Sequence, residues 1–313
     1  MKTPEFPKLD DAFRLNRLSL PSGKLEVVLD TDAYNEIDDQ FALAYALLSK
    51  DRIALQAVHV APFQNSRSPR VEDSIELSHA EILRVFEALG EKAEGKVFRG
   101  ASGYLPGSAT PFESDAARDL ISRAMSRTPE EDPLIVVAIG AITNVASAIL
   151  MEPRIIERIV VVWLGGHGLH WHDNREFNLI QDIPAAQVVF NCGVPLVHVP
   201  CWGVTSHLVI TAPDIENLVE PCGRIGKYLG KIYREEHPDP WGSSHVLWDA
   251  ATIAFLINEK WTVSHIINSP VVTDNATWSV DHRRHLIRYI AMVWRDPIVK
   301  DLLSKFQQAG SKL

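Results

Sequence analysis

The chain has 313 residues, 46% hydrophobic and 23% charged, the balance of an ordinary globular protein with enough apolar material for a large core. Its formal net charge is −9 and no run of Lys or Arg stands out. That argues against nucleic acid and anionic membrane as partners and favours a small neutral or cationic ligand.

The stretch MKTPEFPKLDDAFRLNRL has no apolar signal-peptide segment and no apolar run reaches membrane-span length, so a cytoplasmic protein is expected. Cys192, Cys201 and Cys222 lack CxxC spacing and read as small buried residues in a reducing compartment. With no linker-like composition and no internal repeat, residues 1–313 read as one domain.

In chain order, strand-like runs fall at 24–30 (KLEVVLD), 53–60 (IALQAVHV), 95–100 (GKVFRG), 133–140 (PLIVVAIG), 158–166 (RIVVVWLGG) and 194–200 (VPLVHVP). Most are continuously apolar, the pattern of strands covered on both faces. Helical patterns lie between them. Residues 71–89 bring Val71, Ile75, Leu83, Phe86 and Leu89 near one face, and 113–126 and 142–151 are shorter amphipathic segments. This alternation predicts an α/β fold, Rossmann-like, with a mostly parallel central sheet flanked by helices. Ligands of such sheets bind outside the carboxyl ends of the strands. The remainder predicts helices over 212–236 and 244–258, an edge hairpin from SPVVTDNATWSV and RHLIRYIAMVW, and a closing helix over 297–308.

The first strand runs into DTDAYNEIDD, where Asp30, Asp32, Glu36, Asp38 and Asp39 fall within ten residues. Ile37, Phe41, Ala44, Tyr45 and Leu48 then form a helical stripe that places Asp38 and Asp39 in a first helical turn. A helix amino terminus stabilises an acid by roughly 0.3–1 kcal/mol, which accounts for two of the five. Two carboxylates about 4 Å apart repel by roughly 4 kcal/mol at an effective dielectric near 20, so a partly buried cluster needs protons, basic partners or a metal. No Lys or Arg lies between Lys24 and Lys50. Oxygen ligands without local His or Cys point to calcium or magnesium. An EF-hand loop counted from Asp30 fails, with Asn35 and Phe41 where Gly and Glu belong. The DxD of haloacid-dehalogenase-like phosphatases is matched in part, with Tyr34 out of pattern, and stands as an alternative.

Three later segments keep the acidic turn company: VVAIGAITNVASAI (136–149), WLGGHGLHWHDNREFNLIQDIPAAQVVF (163–190) and SHVLWDAATIAFLI (244–257). Together the four resemble the nucleoside hydrolase family, over roughly the first 260 residues. The resemblance implies a calcium-dependent hydrolase that cleaves the N-glycosidic bond of ribonucleosides or a related N-riboside, built as a homodimer or homotetramer. By the family's DxDxxxDD pattern, Asp32 would be a calcium ligand and the base for the attacking water, and Asp39 a further ligand. Asp38 would contact the ribose hydroxyls, with Asp30 supporting from behind. The Ile139 carbonyl and Asp249 would complete the metal site. Glu176 and Asn178 of the REFN segment, with Asn65 or Gln64 after the second strand, would hold ribose.

The chain departs from the pattern in three places. Its acidic loop is two residues longer and lacks Pro-Gly. His170 stands where many members have Asn, putting His170 or Asn174 near the ribose 5′ end. Trp248 occupies the place of a histidine that protonates the leaving base in some members, leaving His245, one turn earlier, as a candidate acid, with His170, His172 and His207 as others. Trp248 can stack on a base. A nucleoside- or ribose-binding homologue with weak catalysis is the remaining alternative.

Overall fold

The computed structural model describes residues 4–310. Among them the strand-like runs become β1 (Leu25–Thr31), β2 (Ile53–Val60), β3 (Val97–Phe98), β4 (Leu134–Ala138), β5 (Ile159–Leu164) and β6 (Leu196–Val199). They join β9 (Thr262–Asn268) and β12 (Leu286–Val293) in an eight-stranded sheet of order β3-β2-β1-β4-β5-β6-β12-β9. Every neighbouring pair is parallel except β12 and β9. All residues of β4 and β5 are buried, as their unbroken β-branched runs require.

Helices cover both faces. On one lie α2 (Asp38–Leu48), α3 (Val71–Leu89), α9 (Gly223–Glu236), α10 (Ala250–Ile257) and α11 (Arg295–Gly310), contributing Phe41, Ile75, Leu229, Ile253 and Leu302 to a single apolar cluster. On the other lie α4 (Asp115–Met125), α5 (Thr143–Met151) and α7 (Ile183–Asn191), whose Leu120, Val145 and Val189 close a second. The chain leaves β1 in one direction to β2 and β3, and in the other to β4. That reversal opens a crevice at the carboxyl ends of β1 and β4.

Several elements differ from expectation. Helix α2 is buried all round from Asp38 to Leu47, because α3, α10 and α11 pack on it from different sides. A single apolar stripe therefore understates it. The segment 212–236 follows β7 (Val209–Thr211) and is broken into the turn α8 (Ala212–Asp214), a π-helical turn Ile215–Val219 and α9. Pro221 denies a helical hydrogen bond and Gly223 takes φ 71°, which together interrupt the helix. The segment 244–258 starts as β8 (Ser244–Val246), antiparallel to β7, so Asp249 caps the start of α10 and does not lie inside a helix. The sheet edge is β12 with β9. SPVVTDNATWSV instead makes a separate ribbon of β10 (Val271–Val272) and β11 (Trp278–Ser279). Strand β9 is half exposed and so reads weakly as a strand. Helix α1 (Asp11–Leu18), with the Asp10 carboxylate accepting from Phe13 N at 2.7 Å, was not anticipated. Among the described residues no helix is long and apolar enough to cross a membrane.

Candidate active site at the carboxyl edge of the sheet

Strand β1 delivers Asp30 and Thr31 to the crevice, the turn that follows begins with Asp32, all three fully buried, and Asp38 and Asp39 come on the first turn of α2. Asp30 sits deepest. Its Oδ2 accepts from Asn144 Nδ2 at 2.8 Å, and burial pushes its carboxyl up to about 7. Asn144, in α5, also donates to the Val60 carbonyl at 2.9 Å and accepts from Ala101 N at 2.8 Å, pinning the ends of β1 and β2 to the loop after β3. Thr31 Oγ1 donates to Asp39 Oδ1.

Asp38, Asp39 and Asp249 bring carboxylate oxygens within 4.8 Å of one another, and Asp249 N donates to Asp38 Oδ2 at 3.3 Å. Neither carboxylate oxygen of Asp32 has a hydrogen-bond partner. Burial first, then the neighbouring acids, drives Asp32, Asp38 and Asp249 well above the usual carboxylate range, and burial takes Asp39 to about 7. Among the described residues no Lys or Arg acts appreciably on these four acids. A buried, unpartnered carboxylate is costly unless something cationic binds it. The donor set is oxygen only, which suits a hard divalent cation, so the residues present fit calcium. Asp38 lies within the close group of acids, not apart from it.

Asp38, Asp39 and Asp249 line a cavity of about 190 Å³, whereas Asp32 is not among its lining residues. Ile139 contributes to its wall, and its carbonyl accepts from Asn178 Nδ2 at 3.3 Å. Asn178 also donates to the Leu164 carbonyl at 3.0 Å, tying the ends of β4 and β5 together. Glu176 caps the short helix α6 (Phe177–Gln181), accepting from Gly166 N, Asn178 N and Leu179 N at 2.7, 2.8 and 2.9 Å. Burial pushes its carboxyl up to about 7.

Three anticipated residues are placed differently. Asn65 does not line the cavity. Its Oδ1 accepts from Arg67 N at 2.8 Å, and its Nδ2 donates to Asn35 Oδ1 at 2.8 Å, holding Asn35 on the wall. His170 is exposed and packs at Gly203, while His167 takes the wall position. Buried Asn174 accepts from His167 N at 2.7 Å. His245 lies behind Glu36, with Nε2 3.7 Å from its Oε2 and Nδ1 3.3 Å from His237 Nε2. Burial and His237 push His245 down to about 4, so it carries no proton to give near neutrality.

Trp248 does form wall, edge-on to Trp202 at 5.4 Å between ring centroids, and Trp202 stacks on Trp171 at 5.8 Å. Asn35, His167, Arg175 and Trp202 also line the cavity and escaped the sequence reading, as do Glu36, read only as one of the clustered acids, and Cys201, read only as a buried residue. The one signal for them was position, in loops that follow β1, β5 and β6.

The sequence profile of the inosine-uridine preferring nucleoside hydrolases matches residues 27–294. A probable uridine nucleosidase 2 of Arabidopsis thaliana is 28% identical over 255 residues, 74% of this chain and 77% of that protein. The pyrimidine-specific ribonucleoside hydrolase RihA of Citrobacter koseri is 34% identical over 174 residues, 51% of this chain and 54% of its own length. The solved structure of an inosine-guanosine nucleoside hydrolase shares the fold with a TM-score of 0.74 at 19% identity, covering 90% of this chain and 98% of that one.

Proposed function

Because this chain belongs to the inosine-uridine preferring nucleoside hydrolase family, and is thereby an N-glycosyl hydrolase, we propose that it cleaves ribonucleosides with a calcium ion held by Asp32, Asp39, Asp249 and the Ile139 carbonyl. The observation that carries this reading is the pair of fully buried, unpartnered Asp32 oxygens beside three further acids, with no basic side chain among the influences on them. The family match displaces the phosphotransferase alternative. A cytoplasmic homodimer or homotetramer belongs to the same proposal, by resemblance.

When bound, calcium supplies a Lewis-acidic position for a water and the ribose hydroxyls. Asp32 takes the proton from the attacking water as the oxygen bonds to C1′, a general-base role commonly worth ~10²–10⁴-fold. The C1′–N bond breaks with its electron pair leaving on the base. The neighbouring carboxylates favour the positive charge that develops on the sugar. Asp38 and Asn178 line the cavity and would orient the ribose, and Trp248 would offer the departing base an aromatic face.

A nucleoside panel assayed with and without chelator tests the proposal. Base release should stop on chelation and in Asp32→Ala, and an unaltered rate in that variant would overturn it. Trp248, which cannot donate a proton usefully, and the neutral His245 favour a second reading: a ribose-binding homologue with weak catalysis. Multiple turnovers by the purified protein exclude that one.

A further inference from the structure

Glu36 is the one acid of the turn between β1 and α2 that neither the proposed calcium site nor its support takes up. It stands instead with Asp38 and His245, and one ligand atom from each of the three lies within 4.8 Å of the other two. Strand β8 supplies His245, so the trio joins this turn to the late ribbon of β7 and β8.

His245 Nε2 is buried and has no hydrogen-bond partner. Glu36 Oε2 lies 3.7 Å from it, beyond hydrogen-bonding reach. Two ligands on one tetrahedral ion with bonds of about 2.1 Å stand roughly 3.4 Å apart, so the spacing is that of atoms that share an ion. The other ring nitrogen is already engaged, with Nδ1 3.3 Å from His237 Nε2. A proton donated from Nδ1 to His237 leaves Nε2 with a free lone pair. Metal-bound histidines are commonly fixed through their second nitrogen in this way. Nor does a local cation take the place of a metal. Arg67, whose charge reaches Glu36, pairs with Glu236 and donates to the backbone carbonyls of Tyr34 and Glu36 at 3.4 and 3.3 Å.

We propose that Glu36, Asp38 and His245 bind a second metal ion, a transition-metal dication of the zinc class, beside the calcium site and sharing Asp38 with it. One imidazole and two carboxylates suit zinc and its first-row neighbours, whereas calcium takes oxygen ligands. Asp38 belongs to both groups of possible ligands. Three protein ligands leave such an ion an open position. Glu36 and Asp38 both line the cavity, so that position is within reach of a lone pair on a ligand there.

Zinc titrated calorimetrically into the calcium-saturated full chain tests this, with cobalt(II) absorption as a second readout. One equivalent beyond calcium is expected. It should weaken ~100-fold or more in His245→Gln and in Glu36→Gln, and ~10–100-fold in His237→Leu, which removes only the acceptor for Nδ1. The Glu36 side chain is 45% exposed, so its substitution leaves the core intact. Calcium affinity should hold in His245→Gln, and the visible cobalt bands should change in that variant. No equivalent beyond calcium, zinc that displaces calcium, or zinc held equally well by His245→Gln and Glu36→Gln overturns the inference. Failure of calcium itself to bind counts against the proposed function alone, because the Glu36 and His245 variants still report on the second ion.

Discussion

Gly140 stands so close to Asp32 that a methyl group on its Cα would lie 3.0 Å from the Asp32 carboxyl carbon and 2.9 Å from Ala61 Cβ. The end of β4 thus packs directly on the proposed base, and only a residue without a side chain leaves Asp32 where it is. Gly140→Ala should cost about 1–3 kcal/mol by overpacking and displace the carboxylate. A displacement near 1 Å lowers catalysis about a hundredfold. Thermal unfolding and nucleoside turnover check this, with activity expected to fall far more than stability.

Metal removal is expected to destabilise the fold as well as stop the reaction, because the acids left behind are buried against each other. Calcium at about a hundred times its dissociation constant should add about 2.7 kcal/mol over the chelated protein. Asp249→Asn should reduce that increment while raising the stability of the chelated form. Calorimetric melting with and without calcium measures both.

Asn144 serves Asp30, Val60 and Ala101 from the first turn of α5. Asn144→Ala would leave three buried polar groups without their partner, at about 1–3 kcal/mol for each that water cannot reach. The expected result is a loss of about 3 kcal/mol or more in denaturant unfolding, with the remaining folded protein impaired in turnover.

Trp248 is expected to act on the base and not on the sugar. Trp248→Leu should raise KM for nucleosides about tenfold, in line with the loss of one aromatic contact of about 1 kcal/mol or slightly more. It should leave the affinity for free ribose little changed. Steady-state kinetics beside ribose titration separates the two.

His198 supplies a pH dependence outside the site. It is fully buried among Phe190, Trp278 and Tyr289, with Nε2 2.7 Å from the Gly165 carbonyl, and burial pushes it from 6.5 down to about 4. Between those values the unfolded chain takes up a proton that the folded one refuses, so stability falls as pH drops through this window. The shift corresponds to about 3 kcal/mol once pH reaches about 4. His198→Gln, which can still donate to Gly165, should show an acid loss smaller by about that amount in denaturant titrations.

The positions of the first six strands along the chain, the burial of β4 and β5 and the crowding of acids after β1 were legible in the sequence, because each is a local property. A continuous β-branched run demands cover on both faces, and five carboxylates in ten residues demand a counter-charge wherever they fold. The late region was less legible. Residues 212–236 and 244–258 have helical composition, but the pairing of β7 with β8 depends on which segments meet in space. Half-exposed β9 carries too little apolar pattern to announce itself.

The site divides along the same line. The identities of Asp32, Asp38, Asp39 and Asp249 could be read from motifs, since type and spacing along the chain carry them. That Asp249 reaches Asp38 across 211 residues, that His245 is kept neutral behind Glu36, and that Asn65 turns away to hold Asn35 were decided by packing. So was the arrival of His167 and Arg175 on the cavity wall. Sequence sets the chemistry each residue can offer. Which residues face one another depends on how the loops beyond β1, β5 and β6 close over the sheet, and no local pattern records that.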